Sequence, residues 1–301
     1  MEQLPSESDA IAKVSSIFIY PIKSCRGISV SQSSVTPTGF RWDRQWLVVN
    51  YKGRAYTQRV EPKLSLVQVE LPDEAFIEGW EPSKSSYLVL KAPGMDALKV
   101  SLIAPREVSN GVSVWEWSGS ALDEGADASK WFSDYLGKPS RLVRFNTASE
   151  IRPVEPEYAR GHKIMFSDMY PYMLLSQGSM DALNNVLKEP IPVNRFRPNI
   201  LVEGCEPFSE DLWTEIRIDK LTFLGVKLCS RCKVKSFTLS AIFAYVVTVK
   251  QIFIGTSIYQ QSIKRLASQE LSQMKLLGKS GLIVSCVQLK NRKERSTLGR
   301  I

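Results

Sequence analysis

The sequence predicts a mainly β protein of the α+β class, an N-terminal β-barrel domain joined to a second β-barrel domain with a few packed helices. Three observations carry this reading. From Val14 to Trp117 the chain is a succession of short β-type runs broken by turn residues; one amphipathic helix then leads into a Pro-punctuated segment; strand-like runs resume around a second helix. A length of 301 residues suits two domains of about 100 to 200 residues each.

The first-domain runs are VSSIFIY, GISVSQSSV, RQWLVVN, KLSLVQVEL, SYLVLK, ALKVSLI and GVSVWEW. In the fourth, Val67, Val69 and Leu71 alternate with Leu66, Gln68 and Glu70, and Leu66 breaks the pattern. A helix is expected over Asp127 to Leu136, with Trp131, Phe132 and Tyr135 on one side, Gly137 past its end and Pro139 beyond. The charged stretch SEIRPVEPEYARGHK, Ser149 to Lys163, reads as a linker or surface loop and sets the domains at 14–148 and 149–301. After it, YPYMLLS leads into a helix with Ser179 as N-cap and Met180, Leu183, Val186 and Leu187 at the spacing of a buried face. NILVEG, WTEIRI and LTFLGVKL are the strands that follow.

The net charge of +8 would suggest an acidic partner, but it is unevenly placed. Residues 233 to 301 hold 12 Lys and Arg against two acids, whereas residues 1 to 232 hold 27 bases and 29 acids. The body is neutral, without a nucleic-acid signature, and only the tail is basic. All 16 Pro, all seven Trp and every Asp precede Lys233, so two kinds of sequence meet there.

Five Cys, an odd number in a chain this long, argue for reduced thiols in an intracellular setting. The N-terminus, MEQLPSESDAIAKVSS, has neither an apolar h-region nor transit-peptide character, and the cytoplasm is the expected location.

Two clusters can carry chemistry. Cys229-Ser230-Arg231-Cys232 ends a strand-like run, with Lys227, Arg231 and Lys233 close to Cys232. Neighbouring cations lower a thiol's pKa, and thiolate suits a soft transition metal, though spacing alone does not name the metal. A structural zinc site would need two more ligands, no βαβ alternation surrounds the pair as a thioredoxin-like motif requires, and buried structural cysteines are the bland alternative. The second cluster is Tyr20-Pro21-Ile22-Lys23-Ser24-Cys25-Arg26-Gly27, where a strand end carries cations and a hydroxyl that could hold a phosphate. Arg44, Arg59 and Arg197 extend the list of anion-site candidates. His162 is the sole histidine and reads as an exposed loop residue, which leaves Ser-His-Asp chemistry no material.

Taken together, YPIKSCRG, GFRWDRQWLVVN, TQRVEPKL, FSDMYPYMLLSQGSMDALN, VNRFRPNILVEGCEPFSEDLW and VKLCSRCKV resemble the MOSC family, in the branch of the mitochondrial amidoxime-reducing components and their plant and bacterial counterparts. The resemblance is collinear over about residues 14 to 234. It implies a MOSC N-terminal β-barrel domain beside a MOSC β-barrel domain, and a bound molybdenum cofactor (Mo-molybdopterin). It further implies that Lys23, Ser24, Arg44 and Arg197 grip the pterin phosphate, that Asn199 and Ser230 contact the cofactor, and that Cys232 is the molybdenum ligand and catalytic centre. Ser167 and Asp168 lie in a matching block. The implied activity is reduction of small N-hydroxylated or amidoxime-type substrates, with electrons from a cytochrome b5-type donor, and the implied setting extends to the mitochondrial surface. A non-catalytic carrier of the cofactor, or an inactive isoform with a basic membrane- or partner-binding tail, are the alternatives.

Beyond Val234 the resemblance stops, at the composition break, which points to a retained intron or shifted frame as the source of residues 235–301. Loss of the family's last strands is expected to leave unpaired edges in the second barrel, with AIFAYVVTV, QIFIGTSIY and GLIVSCV as β-type runs that could pair there. The uncharged run from Ser236 to Val249 is 14 residues, short of a transmembrane span, while Lys264, Arg265 and the 290–295 cluster would allow peripheral membrane contact.

Overall fold

The computed structural model describes residues 11–105, 107–155, 161–229, 249–254 and 286–291. They form two compact units. One is continuous, Phe18–Pro171; the other joins the residues up to Ile17 to those from Tyr172 on. The first strand, β1 (Ala12–Ile19), contributes its first part to this split unit.

Strands of the continuous unit are β2 (Ile28–Val30), β3 (Val35–Thr36), β4 (Gly39–Phe40), β5 (Trp46–Asn50), β6 (Gln68–Glu70), β7 (Tyr87–Lys91), β8 (Leu98–Ser101), β9 (Val108–Val114), β10 (Trp117–Asp123), β11 (Ser140–Phe145), β12 (Arg152–Pro153) and β13 (Lys163–Ile164). They build an antiparallel sheet β5-β11-β10-β9, a sheet β6-β7-β8 and the pairs β3–β4 and β12–β13. Trp46, Leu47, Val48 and Val49 are all fully buried, so β5 is covered on both faces, as an unbroken apolar run demands. Leu47 and Val49 pack with Val112, Val114, Val143 and Phe145 into the core. Helix α1 (Ala126–Leu136) ends at Gly137 with φ +70, whose N–H donates to the Ser133 carbonyl at 2.8 Å, the left-handed stop that glycine allows. Part of the KLSLVQVEL run is not strand: Pro62–Leu66 forms a 3-10 turn, and only Gln68–Glu70 pairs.

The split unit adds β14 (Tyr172–Ser176), α2 (Gln177–Val186), β15 (Ile200–Glu203), β16 (Trp213–Ile218), β17 (Leu221–Cys229), β18 (Val249–Ile254) and β19 (Cys286–Asn291). Its strands run in the order β15-β14-β18-β17-β16-β19-β1, and β1 pairs back onto β15, which closes the ring. All pairs are antiparallel except β14–β15, which α2 links as a βαβ crossover that the sequence reading had not placed. The expected open edges are therefore filled: the tail segment β18 pairs with β14 and β17, and β19 pairs with β16 and β1. Closure matters because an unpaired edge exposes a row of N–H and C=O groups.

Two local expectations are corrected. The N-cap of α2 is Ser176, whose hydroxyl accepts from the Ser179 N–H at 3.0 Å, so the helix starts a turn earlier than the apolar pattern indicates. Met180 and Leu183 are buried, but Val186 is exposed. Buried Glu210 completes the cap from another element, its Oε1 accepting from the Ser176 N–H at 3.0 Å and the Ser179 hydroxyl at 2.6 Å. The presumed linker, as far as it is described, contains β12 and β13, with Arg152 and Val154 buried. No helix among the described residues is long and apolar enough to cross a membrane.

A chain truncated after residue 285 loses β19 and leaves β16 and β1 without a partner on one side. It is expected to unfold at lower temperature and to aggregate at concentrations where the full chain stays monodisperse; unchanged melting and light scattering would show that β19 is dispensable.

Candidate cofactor site

The site in the continuous unit is built by two backbone segments lying side by side. The Lys23 N–H donates to the Trp46 carbonyl at 2.8 Å, the Trp46 N–H to the Pro21 carbonyl at 3.0 Å, and the Arg44 N–H to the Tyr20 carbonyl at 2.7 Å. The Asp43 carboxylate accepts from the Tyr20 N–H at 2.8 Å. These bonds bring Lys23, Ser24 and Arg44 to one place, although 19 residues lie between Ser24 and Arg44.

Each cation is buried and paired. The Lys23 ammonium, 6% exposed, donates to the Phe166 carbonyl at 2.8 Å and forms an ion pair with the Asp168 carboxylate. Arg44, 8% exposed, bonds the Asp43 carboxylate at 2.5 Å and lies 4.4 Å above the Tyr20 ring centroid. Both are cations that the sequence offers to an anion, and in the structure each charge is compensated by a carboxylate that fixes its head. Tyr20 is fully buried, and a Cβ on Gly27 would come within 2.5 Å of its ring, so the loop can close over the tyrosine only with glycine there. Gln58 Nε2 donates to the Ser24 carbonyl at 2.9 Å.

Backbone strain marks the same residues. Among the described residues, seven non-glycine residues have positive φ, and Ser24 (+73), Arg44 (+49) and Arg197 (+56) are three of them. Each such conformation costs on the order of 1 kcal/mol and persists where the surroundings impose it.

In the split unit Arg197 is half-buried and Asn199 is buried at the start of β15, its N–H donating to the Met173 carbonyl of β14 at 2.7 Å. Strand β17 ends at Cys229, and Ser230 and Cys232 lie outside the described residues. Among the described residues no group of three or more His, Cys, Asp or Glu is placed to hold a metal ion. Arg59 is exposed. His162 is half-buried rather than exposed, and burial lowers its pKa.

Sequence reasoning passed over three participants. Arg152 gathers the segment that carries Asp168: its guanidinium donates to the carbonyls of Met165 and Asp168, each at 3.0 Å, and to that of Ser167. Burial pushes its pKa down to about 10, so it stays charged at neutral pH. Asp43 supplies the Arg44 partner. Trp115 donates its indole N–H to Asp168 Oδ1 at 2.9 Å. An arginine next to a proline in an otherwise polar stretch was the one available signal for the first of these.

Residues 11–139 match the MOSC N-terminal beta barrel domain and residues 161–241 the MOSC domain. Similar curated proteins include the mitochondrial amidoxime reducing component 2 of Bos taurus, 33% identical, with 74% of this chain and 65% of that protein covered. That of Rattus norvegicus is 34% identical at the same coverages. The mitochondrial amidoxime-reducing component 1 of Homo sapiens is 31% identical, again over 74% of this chain and 65% of the relative. The chain thus spans about 65% of the length of these relatives. With both domain matches in sequence order and a strand architecture that fills them, the chain belongs to the MOSC family, as a MOSC N-terminal β-barrel domain followed by a MOSC domain.

Proposed function

We propose that this chain is a molybdenum-cofactor oxidoreductase that reduces small N-hydroxylated substrates of the amidoxime type. In this reading Lys23, Ser24, Arg44, Arg197, Asn199 and Ser230 surround the pterin, and Cys232 is the metal ligand. The observation that carries it is the left-handed backbone at Ser24, Arg44 and Arg197, strain placed on the residues that the family pattern assigns to the cofactor.

The donor set fits such a group. An ammonium, a planar guanidinium and a hydroxyl suit a phosphate-bearing heterocycle, and the thiolate suits a soft metal. Bound there, the cofactor would supply two-electron redox chemistry; the chain's own residues bind, orient and screen it. Asp43 and Asp168 hold the Arg44 and Lys23 heads in place before any ligand arrives, which lowers the ordering cost of binding. The overall reaction takes the N-hydroxylated group, two electrons and two protons to the reduced nitrogen group and water, so it needs an external one- or two-electron donor. A cytochrome b5-type protein is the donor class that the relatives' branch suggests.

Protein purified from a host that makes the cofactor should carry near-stoichiometric molybdenum and pterin, and Cys232→Ala should lose the metal. Benzamidoxime should then reoxidise a reduced artificial donor in the presence of the intact holoprotein. A loaded protein that never reoxidises the donor is a carrier, and a wild-type chain empty of metal refutes the cofactor assignment.

Gly27→Ala drives a methyl group into the buried Tyr20 ring and, through it, displaces Arg44. We expect a loss of about 1–3 kcal/mol in urea unfolding together with lower molybdenum occupancy. Wild-type values for both would mean the Tyr20–Arg44 stack does not position the site.

A further inference from the structure

Trp115 is not accounted for by packing. All seven tryptophans fall among the described residues, and it alone is exposed, at 53%. It occupies the first position of the two-residue connection between β9 and β10, where Val114 pairs with Trp117, and its φ is +54. Tight hairpin turns with positive φ at that position favour glycine, so a bulky aromatic there is held at a cost.

What holds it is the site. The indole N–H donates at 2.9 Å to Asp168 Oδ1, the same oxygen that pairs with Lys23. The Asp168 backbone carbonyl is in turn fixed by Arg152 at 3.0 Å. One edge of the indole is anchored to half-buried Asp168, and through it to buried Lys23 and Arg152, while the residue stays 53% exposed. An exposed indole anchored by its N–H suits a stacking platform, and an indole face attracts flat, electron-poor or cationic groups.

We propose that Trp115 is a specificity-determining residue, the platform on which the aromatic ring of an aryl amidoxime stacks. This rests on the reductase reading above and deepens it. It predicts a preference for aryl over alkyl substrates that share the same reacting group, because only the ring meets the indole. Asp168 acts as the positioning residue that sets the platform's angle.

The test compares benzamidoxime with acetamidoxime in the holoprotein of wild type, Trp115→Ala and Trp115→Phe, with molybdenum content measured on each. For Trp115→Ala we expect unchanged metal, a KM for benzamidoxime raised about fivefold or more, and a KM for acetamidoxime within twofold of wild type. Trp115→Phe, which keeps a ring but not the anchoring N–H, should fall between. Equal KM changes for the two substrates, or none, overturn the proposal, as does loss of molybdenum, which would assign the platform to the cofactor. If the protein proves inactive, calorimetric titration with benzamidine, the reduced counterpart of benzamidoxime, decides independently: an affinity at least fivefold weaker in Trp115→Ala than in wild type supports the platform, and equal affinity, or no binding to wild type, overturns it.

Discussion

A buried ammonium must use its hydrogens, and the requirement at Lys23 organises much of the continuous unit. Taking that charge out of water costs several kcal/mol unless hydrogen bonds and an opposite charge replace the solvent. The Phe166 carbonyl and the Asp168 carboxylate do so, from more than 140 residues further along the chain. Arg152 binds the same segment through three of its carbonyls. The path of residues 165–168 is thus dictated by two cations, and the side chains that this segment presents, Asp168 first, are fixed along with it.

The Asp43–Arg44 pair repeats the principle on a smaller scale. Adjacent residues with opposite charge, one in a left-handed conformation, set a guanidinium over the Tyr20 ring, which Gly27 also approaches closely. Compensated cations attract a distant anion less than bare ones do, but they need no reorganisation when a ligand arrives. A site made in this way trades long-range steering for geometry, which suits a group that is bound once and kept.

Local chemistry made some of this legible in the sequence. The apolar run of β5, the amphipathic helix ending at Gly137 and the cations at the end of β1 all write their signals within a few residues. The misplaced start of α2 has a local cause too: Ser179 stands just before the apolar pattern, but the true cap is Ser176, and Glu210, which supports it, lies beyond any window that reads helix starts. Arg152 was hidden by its prolines, since composition describes a segment's solubility and says nothing of a carbonyl cluster folding back onto one guanidinium. That tail runs could fill the open edges was legible, since QIFIGTSIY and GLIVSCV overlap β18 and β19, but which edge each takes was not, because strand pairing is a nonlocal choice. Trp115 read as part of the strand-like run GVSVWEW, whereas the structure places it in the turn between β9 and β10 with a positive φ.

The split of one unit around the other has a consequence for how the chain is made. In β1, Ser15 bonds the Leu201 carbonyl, a partner 186 residues later. At about 5–20 residues per second, roughly ten to forty seconds pass at the ribosome between the two. For most of that interval the continuous unit, which ends at Pro171, is itself still being made, so the first strand waits without its partner, and the ring closes only after the last strands have emerged. The first strand's polar serines, Ser15 and Ser16, make that wait less hazardous than an unbroken apolar strand would.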